Sequence, residues 1–181
     1  YDVSKQSLNR ALHQEFDKDL KKWGAEILAN NTVRFHEPDV LFARNSSEIK
    51  EKFKKILGNF FPRYLSILTR PEYKNEIIEL RIEGHTSSIW RKNSTMEESY
   101  IRNARLSQDR SFSVLRYVFG LSAVESQRKW LIKVLRANGL SFSKLIHDVH
   151  GKEDFAKSRR VEFRIITNTE HKIEEILKRA R

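Results

Sequence analysis

Ile49, Phe53, Ile56, Leu57, Phe60, Phe61, Tyr64, Leu65 and Leu68 recur at spacings of three and four, so all of them fall on one face of a helix. This is the strongest periodicity in the chain. A stripe so long and so aromatic must be covered, so the fold has to supply a broad apolar surface beneath it. Pro62 lies inside the pattern and predicts a kink or an end near Gly58–Phe61, because proline removes a backbone donor and crowds the preceding turn. Asn45-Ser46-Ser47 offers the side-chain oxygens that cap a helix start.

Alternating segments supply that surface. Ile78, Leu80 and Ile82 alternate with Glu79, Arg81 and Glu83, and Val161, Phe163 and Ile165 alternate with Arg160, Glu162 and Arg164. Each reads as a strand with one apolar face and one charged face. Val33 and Phe35 mark another in an extended stretch, Thr32–Ala43, that turns at Glu37-Pro38-Asp39. Ser143–Val149 reads as a further strand. Ser87–Met96 is a polar loop. Helices are expected over Glu97–Phe119, with the winding restarting at Ser107, and over Glu125–Asn138, closed by Gly139. His171–Arg181 is expected to be a basic tail helix. Upstream, Leu8, Leu12, Phe16, Leu20, Trp23 and Ile27 predict an amphipathic helix over Ser4–Ala29, closed by Asn30-Asn31. Its stripe lasts under four heptads, which favours packing on the body over a coiled-coil seam. The sum is an α+β sandwich with helices on one face of a sheet. It divides into an N-terminal amphipathic helix (1–31), a folded domain (32–168) and a basic C-terminal helix (169–181).

Composition narrows the function. At 181 residues, with 39% hydrophobic content, 11 Phe and 3 Trp, the chain can bury a core and is not disordered. The net charge of +11 suits any anionic partner. The charges are dispersed, however: Lys and Glu interleave through Glu48–Lys55 as on a solvated helix face. With no aromatic-basic interleaving and no reading helix, no nucleic-acid partner is expected. The absence of cysteine means that neither disulfides nor thiolate-held metals are needed. No apolar run is long enough to cross a membrane, and no signal peptide is visible. Starting at Tyr1 instead of Met, the chain reads as a piece of a longer protein. Catalysis finds no footing, since there is no Gly-x-Ser-x-Gly elbow, phosphate-cradling glycine loop or His-Glu-x-x-His helix. His147 and His150 lack a third ligand and read as polar strand or loop residues, and His85 as a structural hydrogen-bonding group. No catalytic residue, metal or cofactor is expected.

Three short blocks carry more. Arg81-Ile82-Glu83-Gly84-His85-Thr86 ends a strand, Asn103-x-x-Leu106-Ser107-x-x-Arg110 lies on a helix, and Arg159-Arg160-Val161-Glu162-Phe163 opens the last strand. In order and placement they resemble the peptidoglycan-binding domain shared by the OmpA C-terminal region and the MotB-type subunit of flagellar stators, over about residues 40–167. The resemblance implies an OmpA-like sandwich with a mixed sheet. It also implies recognition of the diaminopimelate residue of the wall peptide, in which a helix arginine grips a carboxylate and a turn aspartate pairs with the amine. Carried over, the grip is Arg110, supported by Asn103, Leu106 and Ser107, with Gly84, Thr86 and Ser87 on the turn and Arg159 as a second candidate. The chemistry is sound in itself, since a planar guanidinium binds a carboxylate through two parallel charge-assisted bonds. Arg160 reads as an exposed strand charge.

Two positions depart from the family. Ser87, followed by Ser88, stands where the family has its aspartate, so the partner for a ligand amine is missing. Either another carboxylate such as Glu83 substitutes, or affinity is low, or the ligand differs. The loop Lys152–Ser158 is short, with Ser158 at the family asparagine. The amphipathic N-terminal helix fits a MotB-type subunit, and residues 105–115 and 139–145 are similar to the stator-like B subunit of Zorya antiphage defence systems. That resemblance implies a periplasmic domain of an inner-membrane-anchored protein. Its partners would be peptidoglycan, a second copy as a homodimer, and a membrane-embedded subunit of an ion-driven motor, reached through a transmembrane segment outside this chain. The alternative is the same fold with wall binding lost, serving as a protein-interaction or regulatory module; a basic nucleic-acid binder is the remaining and weaker alternative.

Overall fold

The computed structural model describes residues 3–36, 38–89 and 92–181. Five strands, β1 (Ala25–Ile27), β2 (Val33–His36), β3 (Ile77–His85), β4 (Leu135–Gly139) and β5 (Arg160–Thr167), form one sheet in the order β1-β2-β5-β3-β4. Only β3 and β4 run parallel, so the sheet is mixed. The helices are α1 (Val3–Trp23), α2 (Pro38–Leu41), α3 (Glu51–Leu68), α4 (Pro71–Lys74), α5 (Met96–Phe119), α6 (Arg128–Val134), α7 (Phe155–Ser158) and α8 (Asn168–Arg179). This is the expected α+β sandwich.

Register explains the layering. Leu80 faces Ile165, Ile82 faces Phe163, and Phe163 faces Val33 on the other side, so the apolar alternations of β2, β3 and β5 converge on one face of the sheet. The stripe of α3 lies on that face. Phe60 is its centre, with ring centroids 5.1 Å from Phe35, 5.2 Å from Phe163, 5.1 Å from Phe16 and 4.8 Å from Tyr64. α1 packs on the same core through Leu8, Leu12, Phe16 and Trp23. Arg63 of α3 ties the two helices at the surface, pairing with Glu15 at 2.7 Å and Asp19 at 2.9 Å while lying over the Phe16 ring.

Four local expectations are corrected. α3 runs through Pro62 without ending, because buried side chains on both sides of it outweigh a local cost of about 3 kcal/mol. Its N-cap is Lys50, with no side-chain cap bond, while Ser46 Oγ accepts from the Glu48 amide in a separate turn. α1 stops at Trp23 because Gly24 takes a left-handed φ of 60°, which frees Ala25–Ile27 to pair with β2. The largest correction concerns residues 135–149. Leu135–Gly139 is a strand, not the end of a helix, and Ser143–Val149 is loop, with a single bridge from His147 to Glu153. Periodicity alone could not separate these alternatives. β4 exists because β3 offers it a partner edge and because Gly139 admits the backbone of α5. The Gln108 side chain then seals the outer edge of β4, donating to the Ala137 carbonyl at 3.1 Å and accepting from the Gly139 amide at 2.9 Å.

Candidate ligand-binding site

α5 and the ends of β3 and β4 position the candidate residues. The helix starts with a capping box: Thr95 Oγ1 accepts from the Glu98 amide, and Glu98 accepts from the Thr95 amide. It continues unbroken past Ser107, where no restart occurs. Two glycines let the sheet reach the helix backbone. A Cβ on Gly84 would collide with the Ser107 carbonyl, and one on Gly139 with the Gln108 amide. Polar groups then lock the contact. Ser107 Oγ donates to the Ala104 carbonyl and accepts from the Ser141 amide, each at 3.0 Å. Ser141 Oγ donates to the Tyr100 carbonyl at 3.0 Å, and the Thr86 amide donates to the Ser141 carbonyl at 2.9 Å. Gly84, Thr86 and Ser107 are therefore brought together as one buried knot, with Ser87 buried beside it. The Thr86 hydroxyl has no partner in that knot.

Asn103, Ser107 and Arg110 are spaced four and three along α5, so they share a helix face. Asn103 donates back to the Ser99 carbonyl at 2.9 Å, and Leu106 is half-buried. Arg110 Nε donates to the Ser46 carbonyl at 2.8 Å, one terminal nitrogen donates to the Ala43 carbonyl at 3.2 Å, and the guanidinium lies 4.9 Å from the centre of the Phe42 ring. No carboxylate among the described residues pairs with it. Burial, reinforced by the charge of Arg159, pulls Arg110 down to about 10. Arg159 itself is half-buried and donates to the Phe155 carbonyl at 3.2 Å. The result is a cation fixed in position, partly stripped of water and next to a like charge. Such a site gains from an incoming anion.

A carboxylate that sequence proximity did not indicate reaches the turn. Glu153, from the loop before α7, accepts from the Ser88 amide at 2.9 Å and from the Ser88 hydroxyl at 2.6 Å. A carboxylate thus stands at the recognition turn, brought from 65 residues away. Glu83 cannot take this role, because it is buried at 3% exposure and already committed on the charged face of the sheet.

That charged face holds the second correction. Arg160 is not an exposed strand charge; it is 5% exposed and fully engaged. It donates to Glu162 at 2.7 Å and to the Ser158 and Lys144 carbonyls at 2.9 and 3.0 Å. Arg34 reaches the same Glu162 oxygen at 2.8 Å, and Arg164 reaches Glu83 at 3.0 Å. His85 Nε2 lies 3.3 Å from Glu83 and 3.7 Å from Glu162, facing both carboxylates. Burial pushes both glutamates up. Hydrogen bonds outweigh it, from His85 to Glu83 and from Arg160 to Glu162, and with the neighbouring positive charges they hold both below the usual carboxylate range. Glu83, His85 and Glu162 offer three ligand atoms within 4.8 Å of one another. Both carboxylates are already answered by guanidiniums, Glu162 by Arg160 and Arg34 and Glu83 by Arg164, so the cluster reads as a salt-bridged lock, not a metal site.

The structure brings Gly84, Thr86 and Ser107 together and places Arg110 against Ser46, Ala43 and Phe42. Sequence reading did not indicate the contact of Glu153 with Ser88, nor the burial of Arg160, whose guanidinium is held by the Ser158 and Lys144 carbonyls.

No protein-family model matches the chain. It is 43% identical over 178 residues to the Zorya protein ZorB of Escherichia coli, spanning 98% of this chain and 75% of that one. Among solved structures it resembles the cell wall anchor of the T6SS from Pseudomonas aeruginosa, with a TM-score of 0.56 at 21% identity over 87% of this chain and 97% of that one. A MotB-like protein from Desulfovibrio vulgaris gives a TM-score of 0.56 at 21% identity, over 91% and 99% of the two chains. The periplasmic domain of Helicobacter pylori MotB gives 0.53 at 15% identity, over 86% and 87%. At these identities the solved structures establish the fold, which is that of the OmpA-like and MotB-type periplasmic domains.

Proposed function

The chain belongs to the ZorB family of Zorya proteins, and on that premise we propose that it is a non-catalytic peptidoglycan-binding domain, anchoring a MotB-like stator to the cell wall from the periplasmic side. The observation that carries this reading is Arg110: a half-buried guanidinium held by two backbone carbonyls and an aromatic ring, with no carboxylate partner among the described residues. Arg110 grips a carboxylate of the stem peptide, and Arg159 adds positive potential beside it. Glu153, oriented by Ser88, faces the ammonium of the same diamino acid in place of the acid absent at Ser87. The knot of Gly84, Thr86 and Ser107 holds the turn against α5, the helix that carries Arg110. In the full assembly the domain acts as a homodimer, joined to a membrane-embedded partner subunit through a transmembrane segment outside this chain.

Retention on purified sacculi tests the proposal, comparing the natural protein with Arg110→Ala and with Arg105→Ala, an exposed arginine paired to Asp109 at 3.0 Å. Wall binding predicts retention of the natural protein and of Arg105→Ala, and loss of Arg110→Ala. Equal retention of all three removes Arg110 from the mechanism, and retention of none rejects wall binding. Ser87 favours a second reading, an OmpA-like fold that has lost the wall and serves protein interaction. That reading predicts that the natural protein is not retained on sacculi.

A further inference from the structure

Tyr100 is an aromatic ring left in water beside the candidate site. It lies on α5 three residues before Asn103, and it is 45% exposed. At 3.6 residues per turn, Tyr100, Asn103, Ser107 and Arg110 fall within about 80° of one another around the helix. The ring therefore shares the side of α5 that carries the candidate grip. Half-buried Phe142 meets it edge to face, with ring centroids 5.9 Å apart and planes at 81°.

The same bonds that lock the recognition turn also set this pair. Phe142 leaves a turn in which Ser141 holds a left-handed φ of 53°, a conformation that costs a serine free energy. Three hydrogen bonds keep Ser141 there. Its amide donates to Ser107 Oγ and its hydroxyl to the Tyr100 carbonyl, each at 3.0 Å, and its carbonyl accepts from the Thr86 amide at 2.9 Å. A strained residue thus fixes an aromatic pair against the site, with one ring open to solvent.

We propose that Tyr100, backed by Phe142, is a stacking platform for a sugar ring of the wall's glycan strand; this rests on the wall-binding function proposed above and adds the saccharide to its ligand. A β-linked pyranose of that strand carries its substituents equatorially, so each face of the ring is a patch of axial C–H bonds. Such a face packs on an aromatic ring while its hydroxyls stay in water, and tyrosine adds a polar tip for a neighbouring sugar group. Two rings are too small a surface for a protein partner, since they bury far less than the roughly 1,000 Å² of a specific interface. Length favours the glycan as well. Tyr100 and Arg110 stand ten residues apart on α5, about 15 Å along its axis. In the wall the diamino acid is third in the stem, and three extended residues span about 10 Å. The lactyl ether that joins stem to sugar covers most of the remainder, so one ligand reaches both Arg110 and Tyr100.

Calorimetric titration with two synthetic probes tests the platform: the stem tripeptide ending in diaminopimelate, and the same tripeptide carried on its disaccharide. The natural protein should bind the disaccharide form about tenfold more tightly than the bare tripeptide. Tyr100→Ala should erase that gain and leave the tripeptide affinity and the melting temperature unchanged, because the side chain is exposed. Phe142→Ala should reduce the gain, and Tyr100→Trp, which keeps an aromatic face, should retain it. Equal affinity of the natural protein for the two probes overturns the platform and leaves the peptide site standing. A gain that survives Tyr100→Ala overturns it as well. Binding of neither probe rejects the platform and the wall-binding function together.

Discussion

Arg160 and Arg110 are both removed from bulk water, and their surroundings give them opposite roles. Arg160 meets a carboxylate, Glu162, and two carbonyls, within a network that also takes in Arg34, Glu83, Arg164 and His85. Its charge is answered inside the fold, so the network can only hold the fold together. Arg110 meets carbonyls and a ring but no described carboxylate, with Arg159 pressing a like charge toward it. On the proposed function its charge is answered from outside, by the ligand. An arginine's burial does not reveal its role; what matters is whether its counter-charge is already in place.

The sharpest way to break this contrast is to remove Glu162. Glu162→Ala leaves Arg160 buried without its carboxylate and should cost about 3–5 kcal/mol in urea unfolding, whereas Arg110→Ala should cost under about 1 kcal/mol. Similar losses would erase the distinction. The same network predicts acid lability. Glu83 and Glu162 lie below their ordinary value of 4.5 when folded, so their contribution is complete above that pH and is lost as pH falls further through the lowered values. A melting curve that stays flat from neutrality to well below pH 4.5 would contradict it.

Binding predictions sharpen the other side. Arg110→Lys keeps a charge but loses the planar fork, and sacculus retention should fall about tenfold, against near-complete loss in Arg110→Ala. Glu153→Gln should weaken retention by a smaller factor, about three- to tenfold, with no change in melting. The smallest effect is expected of Ser87→Asp. Placed next to Glu153 it adds a second negative charge at the turn, so alone it should gain nothing, and it should restore binding only when combined with Glu153→Gln. A large gain from Ser87→Asp alone would show that Glu153 does not serve the site.

What was legible in the sequence follows the range of the forces involved. The alternations of β2, β3 and β5, the stripe of α3 and the glycine at position 84 are short-range patterns, and they located the sheet, its cover and the turn before any packing was known. Residues 135–149 were misread because Leu131, Val134 and Leu135 suit a helix as well as a strand, and only the free edge of β3 and the backbone of α5 decide between them.

By itself, then, the sequence determined the fold class and the family, because periodicity and motif spacing act within a few turns or strand residues. Tertiary structure alone decided that Arg160 is paired to a carboxylate while Arg110, among the described residues, is not, and that Glu153 reaches Ser88 at the turn. Those outcomes rest on pairings far apart in sequence, where burial and charge balance are set by which surfaces meet.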